Sequence, residues 1–208
     1  MQPFLIGVAG LSGSGKTAFA SRLAEAFSPA AQILSLDSYY LPQSHLSFDQ
    51  RTQQNYDHPD ALDWNLLLHH LASLSRGESI DQPCYLFDLH TRGPETRRLE
   101  PSPILILEGI LALSHPAVRQ LLDLKVFIST DSCECFRRRL TRDILERGRT
   151  RESVLAQWES TVWPMAVEFV LPSRDFADVV VSGEQPFDAA VDRVRKLASA
   201  IPARAARA

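Results

Sequence analysis

The chain has 208 residues, 45% hydrophobic and 23% charged, which supplies one globular core with a small appendage and excludes a disordered, collagen-like or coiled-coil chain. Its 22 Lys and Arg against 25 Asp and Glu give a formal charge of −3, so the whole molecule is no electrostatic binder of nucleic acid or membrane surface, and any phosphate affinity must be local. Cys84, Cys133 and Cys135 are an odd set without a C-x-x-C pair, which argues against a disulfide framework or structural zinc and fits a reducing cytosol.

Met1 to Gly10 lacks a basic leader region, and no apolar run approaches the roughly 20 residues of a spanning helix. A soluble, cytoplasmic protein with neither membrane nor nucleic-acid partner is expected. Phe4 to Ala9 reads as a strand that opens a glycine loop, and Phe19, Leu23 and Phe27 then recur at helical spacing until Pro29. Ile33 to Leu36 form a second strand ending at Asp37, followed by an aperiodic polar stretch to about Pro59 that suits a functional loop. Leu67, Leu71 and Leu74 mark a helix face that stops before Gly77. Tyr85 to Phe87 and Arg97 to Leu99 suggest a hairpin around Gly93 and Pro94, an insert at about 80–100. Ile104 to Leu107, ending in Glu108-Gly109, and Leu124 to Ile128 are continuous apolar strands of the buried parallel kind. From Asp131 to about Leu171 the pattern is helical, with a kink expected at Pro164. Val179 to Val181 gives a last strand and Phe187 to Ala200 a last helix, before an Ala-rich tail expected to fray. Strands alternating with helices imply a single α/β domain over 1–208, a parallel sheet covered by helices on both faces with ligands at the carboxyl ends of the strands.

Gly10-Leu11-Ser12-Gly13-Ser14-Gly15-Lys16-Thr17 fits G-x-x-x-x-G-K-[ST] after a strand and before a helix. Glycines let the backbone wrap a triphosphate, successive N–H groups and the positive helix end meet the phosphates, Lys16 reaches the transferring end, and the Thr17 hydroxyl ligates Mg²⁺. Such a site needs carboxylates at neighbouring strand ends, and Asp37 and Glu108 stand at two of them. Either alone reads as a cap or turn residue; together they suit a metal site, with Glu108 on Mg²⁺ and Asp37 placed to orient or deprotonate an attacking hydroxyl. Arg137, Arg138, Arg139, Arg142, Arg147, Arg149 and Arg151 crowd one stretch, a candidate lid at about 132–152. Arg139, Arg142 and Arg149 would share one side if the helix held, while Glu134, Asp143, Glu146 and Glu152 could pair with several of these arginines on a solvated face.

The phosphate loop, Asp37-Ser38-Tyr39-Tyr40, Asn55-Tyr56-Asp57-His58-Pro59-Asp60-Ala61, the run Pro83 to Arg92, Glu108-Gly109-Ile110, and Arg139 to Arg149 with its Glu146-Arg147-Gly148-Arg149 end form a set of strings. In these the sequence resembles the uridine-cytidine kinase family of P-loop kinases, from about Phe4 to Val181. It implies transfer of the γ-phosphoryl of ATP, or of GTP, to the 5′-hydroxyl of uridine or cytidine with Mg²⁺, in pyrimidine salvage. By carry-over, Asp37 is the base, and Asp57 binds the ribose hydroxyls with help from Arg139 and Gln157. Tyr85, His90 and Arg149 contact the pyrimidine edge, Tyr56 and Phe87 pack on the ring, and Arg142 and Arg147 meet ATP phosphates. The resemblance also implies a homotetramer. Leu86 stands where many members carry an acid, and Ser182-Gly183-Glu184 lacks the arginine-glycine pair that often follows the last strand. The alternatives are a kinase of pantothenate, nicotinamide riboside or ribulose phosphate, which would not need the substrate strings, and a non-catalytic nucleotide switch. A GTPase-like switch would need an N-K-x-D string that is absent.

Overall fold

The structure, a computed structural model, describes residues 2–201; the Ala-rich tail lies outside them. β1 (Phe4–Gly10) passes through the glycine loop into α1 (Lys16–Ala26), and β2 (Ala31–Ser35) follows. The polar stretch holds α2 (Phe48–Thr52) and leads to α3 (Trp64–Ser75), whose first turn is capped by the Asp63 carboxylate accepting from Leu66 N. β3 (Ile80–Leu86) and β4 (Thr91–Leu99) form an antiparallel hairpin. The chain then runs through β5 (Ile104–Glu108), α4 (Pro116–Leu121), β6 (Leu124–Ser129) and α5 (Ser132–Leu145). α6 (Arg151–Gln157), a π-turn at Trp158–Val162, α7 (Trp163–Met165) and a second π-turn at Ala166–Val170 make one helical course, and β7 (Val179–Ser182) and α8 (Asp188–Ala200) close the fold.

The main sheet is parallel throughout, in the order β2-β5-β1-β6-β7, so β1 lies at its centre and delivers the glycine loop to the crevice where the strand order reverses. Side chains alternate across the sheet, and the two faces bury different sets. Ile6 and Val8 pack with Phe19 and Leu23 of α1 and Val191 and Val194 of α8, while Leu5 and Ala9 face the layer that holds Leu67 and Leu71 of α3 and Val170. Burial of apolar surface on both faces, at about 25 cal/mol per Å², is what fixes the strand ends and with them the residues at the carboxyl edge of the sheet.

Two sequence expectations need correcting. The hairpin turns at Phe87–His90 and not around Gly93 and Pro94: Tyr85 pairs with Arg92 and Gln82 with Arg97, with a register shift between Pro83 and Tyr85. Gly93 and Pro94 lie inside β4, where the irregular register tolerates a residue without a ladder N–H. The second strand stops at Ser35, and Asp37 occupies a 3-10 turn, Leu36–Tyr39, just beyond it. Pro164 lies in α7 between the two π-turns, whose wider hydrogen-bonding accommodates its missing N–H. The hairpin is tied to the Asp37 turn by Gln82 Nε2 donating to Ser38 Oγ at 2.8 Å, and by Arg92, which donates to Tyr39 O at 3.0 Å and pairs with Asp63 at 3.2 Å.

Candidate active site

The loop from Gly10 to Thr17 is held from inside by Ser14 N donating to Leu11 O (3.0 Å), and from outside by Thr130 Oγ1 donating to Ser14 O (2.9 Å). Gly13 has φ +85° and lies so close to the Cys135 carbonyl that a Cβ would overlap it, so this position requires glycine on both counts. α1 starts at Lys16 with no side-chain cap and no acid in its first turn. Its positive end and unpaired N–H groups are therefore left for an anion.

Glu108, 6% exposed, ends β5 and accepts from Thr17 Oγ1 and Ser35 Oγ, each at 3.2 Å. Burial raises its pKa, Lys16 pulls it back, and the Asp37 charge raises it again. Asp57, 7% exposed, has its pKa raised first by burial, with Arg139 lowering it and Asp37 raising it. No described residue donates a hydrogen bond to the Asp57 side chain, whose only local tie is its own main-chain N–H to Asn55 Oδ1. Asp37 and Lys16 thus act electrostatically on both Asp57 and Glu108 across one crevice. A hydroxyl and a carboxylate at Thr17 and Glu108 are hard oxygen donors suited to Mg²⁺. Among the described residues no group of three or more His, Cys, Asp or Glu side chains could hold a metal unaided. One or two protein oxygens completed by substrate phosphates is the usual arrangement for that ion.

On the hairpin side, Tyr40 lies 5.5 Å from Tyr56 and 5.1 Å from Tyr85, ring centre to ring centre. The Tyr56 hydroxyl shares its one proton between Arg51 O (3.1 Å) and His90 O (3.0 Å), and its ring stacks on the His90 imidazole at 5.6 Å and 24°. His90, which its spacing alone would leave on the surface, is half-buried and left-handed at φ 50°, an unusual conformation held by these contacts. Burial lowers its pKa, reinforced by Arg149, Arg51 and Arg147, so the ring is neutral at pH 7. Tyr85, Leu86, Phe87, Asp88, Leu89, Glu146 and Arg147 line a cavity of about 540 Å³, and the Arg147 guanidinium lies 4.6 Å over the Phe87 ring.

The arginines do not share a helical side as the spacing suggested. α5 ends at Leu145, and Gly148, with φ +61°, turns the chain back so that Arg149 N donates to Asp143 O at 3.0 Å. Arg139, Arg142, Arg147 and Arg149 nevertheless meet, on the carboxylate of Asp143. Arg139 also donates to Ser12 Oγ of the phosphate loop (2.8 Å) and to Gln157 Oε1 (2.9 Å), which Arg149 shares. Arg137 and Arg138 instead pair with Glu134, each at 2.7 Å, and hold its carboxyl at about 2. At least Arg137 is therefore a solvated helix-face residue. Arg138 spans to Gly183 O (2.9 Å), and Glu184 accepts from Asp131 N (2.8 Å), so the departure at Ser182-Gly183-Glu184 is filled by ties to α5. Leu86 is exposed at the hairpin tip.

Trp158 and Trp163 stack on each other, and Trp64 stacks on His115, away from the pocket rings. Sequence reasoning missed Ser35 and Arg51 as site residues. Ser35 was legible only as the residue two positions before Asp37, at the end of β2. Arg51, which donates to Leu89 O at 2.6 Å, lies too far along the chain to be linked by spacing.

A central parallel sheet, a glycine loop at a helix start, and acidic and basic side chains converging on it define a P-loop phosphotransferase. Residues 5–187 match the model of the phosphoribulokinase / uridine kinase family. The chain is 45% identical over 185 residues to a uridine kinase of Shewanella amazonensis and 46% identical to one of Shewanella sp. strain ANA-3, alignments that cover 86% of this chain and 87% of each relative. Among solved structures it is similar to a D-glycerate 3-kinase from Cryptococcus neoformans, with a TM-score of 0.64 and 19% identity over 89% of this chain and 88% of that one, a likeness of fold alone. The chain belongs to the phosphoribulokinase / uridine kinase family and is a kinase. No helix among the described residues is long and apolar enough to cross a membrane.

Proposed function

We propose that this chain transfers the γ-phosphoryl group of ATP, or of GTP, to the 5′-hydroxyl of uridine or cytidine, as a single kinase domain with a hairpin insert and an arginine lid. The observation that carries the substrate side is Asp57, a buried carboxylate without a protein donor, beside a ring of tyrosines and a neutral histidine. An acceptor-only group in that setting calls for a ligand with paired hydroxyls and a flat, edge-polar ring. The relatives named uridine kinase support the same reading.

In this reading the loop from Gly10 to Thr17 and Lys16 bind the triphosphate, with Arg142 and Arg147 on its outer phosphates. Thr17 and Glu108, with Asp37 adjacent, would hold Mg²⁺, which supplies charge neutralisation on the phosphates. Asp57, Arg139 and Gln157 fix the ribose. Tyr85, His90 and Arg149 read the base edge, and Tyr56 and Phe87 pack on the ring. Asp37 takes the proton of the 5′-hydroxyl as its oxygen bonds to the γ-phosphorus and the bond to the bridging oxygen breaks, releasing the diphosphate. A homotetramer is the assembly implied by the resemblance, and the sparse cysteines fit a reducing cytosol. An ADP-release assay with Mg-ATP against uridine, cytidine, thymidine, adenosine, pantothenate and nicotinamide riboside tests the reading. Turnover of uridine or cytidine is expected, and turnover confined to another alcohol would overturn it.

A further inference from the structure

Asp143 is fully buried at 0% side-chain exposure, and four guanidiniums reach its two oxygens. On Oδ1 lie Arg142 (Nη2 at 2.9 Å, Nε at 3.0 Å) and Arg147 (3.6 Å); on Oδ2 lie Arg139 and Arg149, each at 3.5 Å. Its main-chain carbonyl also accepts from Arg149 N, closing the turn from α5 into the following loop. One carboxylate thus joins the phosphate loop through Arg139 and Ser12, the loop after α5 through Arg147 and Arg149, and α6 through Gln157.

Four like charges around one carboxylate are short of negative charge, and their mutual repulsion would spread them into solvent without it. The surplus is what a polyphosphate would complete. A carboxylate has two oxygens and about four lone-pair directions, enough to orient several guanidiniums from one point. It touches neither substrate in any arrangement that keeps it buried, so it acts only through the arginines. We propose that Asp143 is a positioning residue for phosphoryl transfer, which gathers Arg139, Arg142, Arg147 and Arg149 into the geometry that receives the nucleoside and the transferring phosphates. This inference rests on the kinase reading above, though not on which alcohol is the acceptor.

Asp143→Asn in the full chain, assayed on whichever acceptor the wild-type chain phosphorylates, is expected to lower kcat by about ten- to a hundredfold, the scale of misplaced reacting groups. The arginines keep their charge and lose a competing anion, so the Kd for inorganic tripolyphosphate should stay within about threefold of wild type or tighten. A merely structural role would lower binding and turnover together. The proposal is overturned by a folded variant whose kcat is within about threefold of wild type, or by parallel loss of tripolyphosphate binding and turnover. Should the variant not fold, Arg142→Gln is compared with Arg142→Gln/Asp143→Asn, in which the cluster keeps the wild-type net charge. A further drop in kcat of at least about fivefold in the pair supports positioning, and equal turnover overturns it. Wild-type silence on uridine and cytidine with activity on another alcohol would refute the substrate reading and leave this comparison intact.

Discussion

Asp57→Asn separates binding from stability in opposite directions. The asparagine keeps shape and one acceptor oxygen but loses the charge. Charge-assisted hydrogen bonds contribute about 1.5–3 kcal/mol each, so weakening one ribose contact and orphaning the other should cost about 2–4 kcal/mol, or roughly 30- to 700-fold in kcat/KM for the nucleoside. The KM for ATP should change little, because the phosphate loop is held by separate contacts. Stability follows from the sign of the shift. The Asp57 pKa is raised in the folded chain, chiefly by burial. The folded state therefore binds the proton more tightly than the unfolded one, a contribution fully present below the unfolded pKa and lost as pH rises through the folded pKa. At pH 7 the ionised carboxylate costs stability, so Asp57→Asn should melt at the same temperature as wild type or higher, and the two should converge on acidification. Thermal unfolding at pH 7 and pH 5, beside steady-state kinetics on uridine and cytidine, reads both effects. A variant that melts several degrees lower at pH 7 while keeping its kcat/KM would show that Asp57 is an internal ion-pair partner of Arg139, and the ligand argument would fail.

Asp37→Asn should leave ATP binding largely intact and reduce turnover by at least about a hundredfold, since general-base assistance contributes 10² to 10⁴; near-normal turnover removes it from that role. His90→Gly, which removes the ring while permitting the left-handed backbone, should weaken pyrimidine selectivity more than ATP affinity in competition assays, and a rise in the KM for ATP alone would contradict it. Gly183→Ala would push a Cβ into Thr130 Oγ1 and the Ser14 carbonyl behind the phosphate loop. Overpacking of this kind costs about 1–3 kcal/mol. A melting temperature lower by about 2–4 °C per kcal/mol and a raised KM for ATP are expected, and wild-type values for both would refute the packing account.

The sheet and the phosphate loop were legible in the sequence because their signals are local. Continuous apolar runs such as Ile104 to Leu107 announce buried parallel strands, and the glycine spacing is set by the backbone curvature the loop must adopt. The hairpin was legible in existence and misread in register. Gly93 and Pro94 carry the strongest turn chemistry in the segment, yet the chain turns earlier, at Phe87–His90, where His90 takes the left-handed conformation under tertiary contacts from Tyr56. The arginine cluster was misread for a related reason. Spacing along an ideal helix suggested a shared side, whereas Gly148 ends the regularity and a buried carboxylate brings Arg149 back. Asp57 shows the limit on the chemical side: its identity is plain in the sequence, but its burial without a donor is a property of the fold.

Which hydroxyl receives the phosphate is tested most directly by incubating the chain with Mg-ATP and uridine or 5′-deoxyuridine, following ADP release and the mass of the product. The account predicts uridine monophosphate from the first and no phosphorylated product from the second. Phosphorylation of 5′-deoxyuridine, or no turnover of uridine and cytidine by a chain that phosphorylates another alcohol, would contradict it.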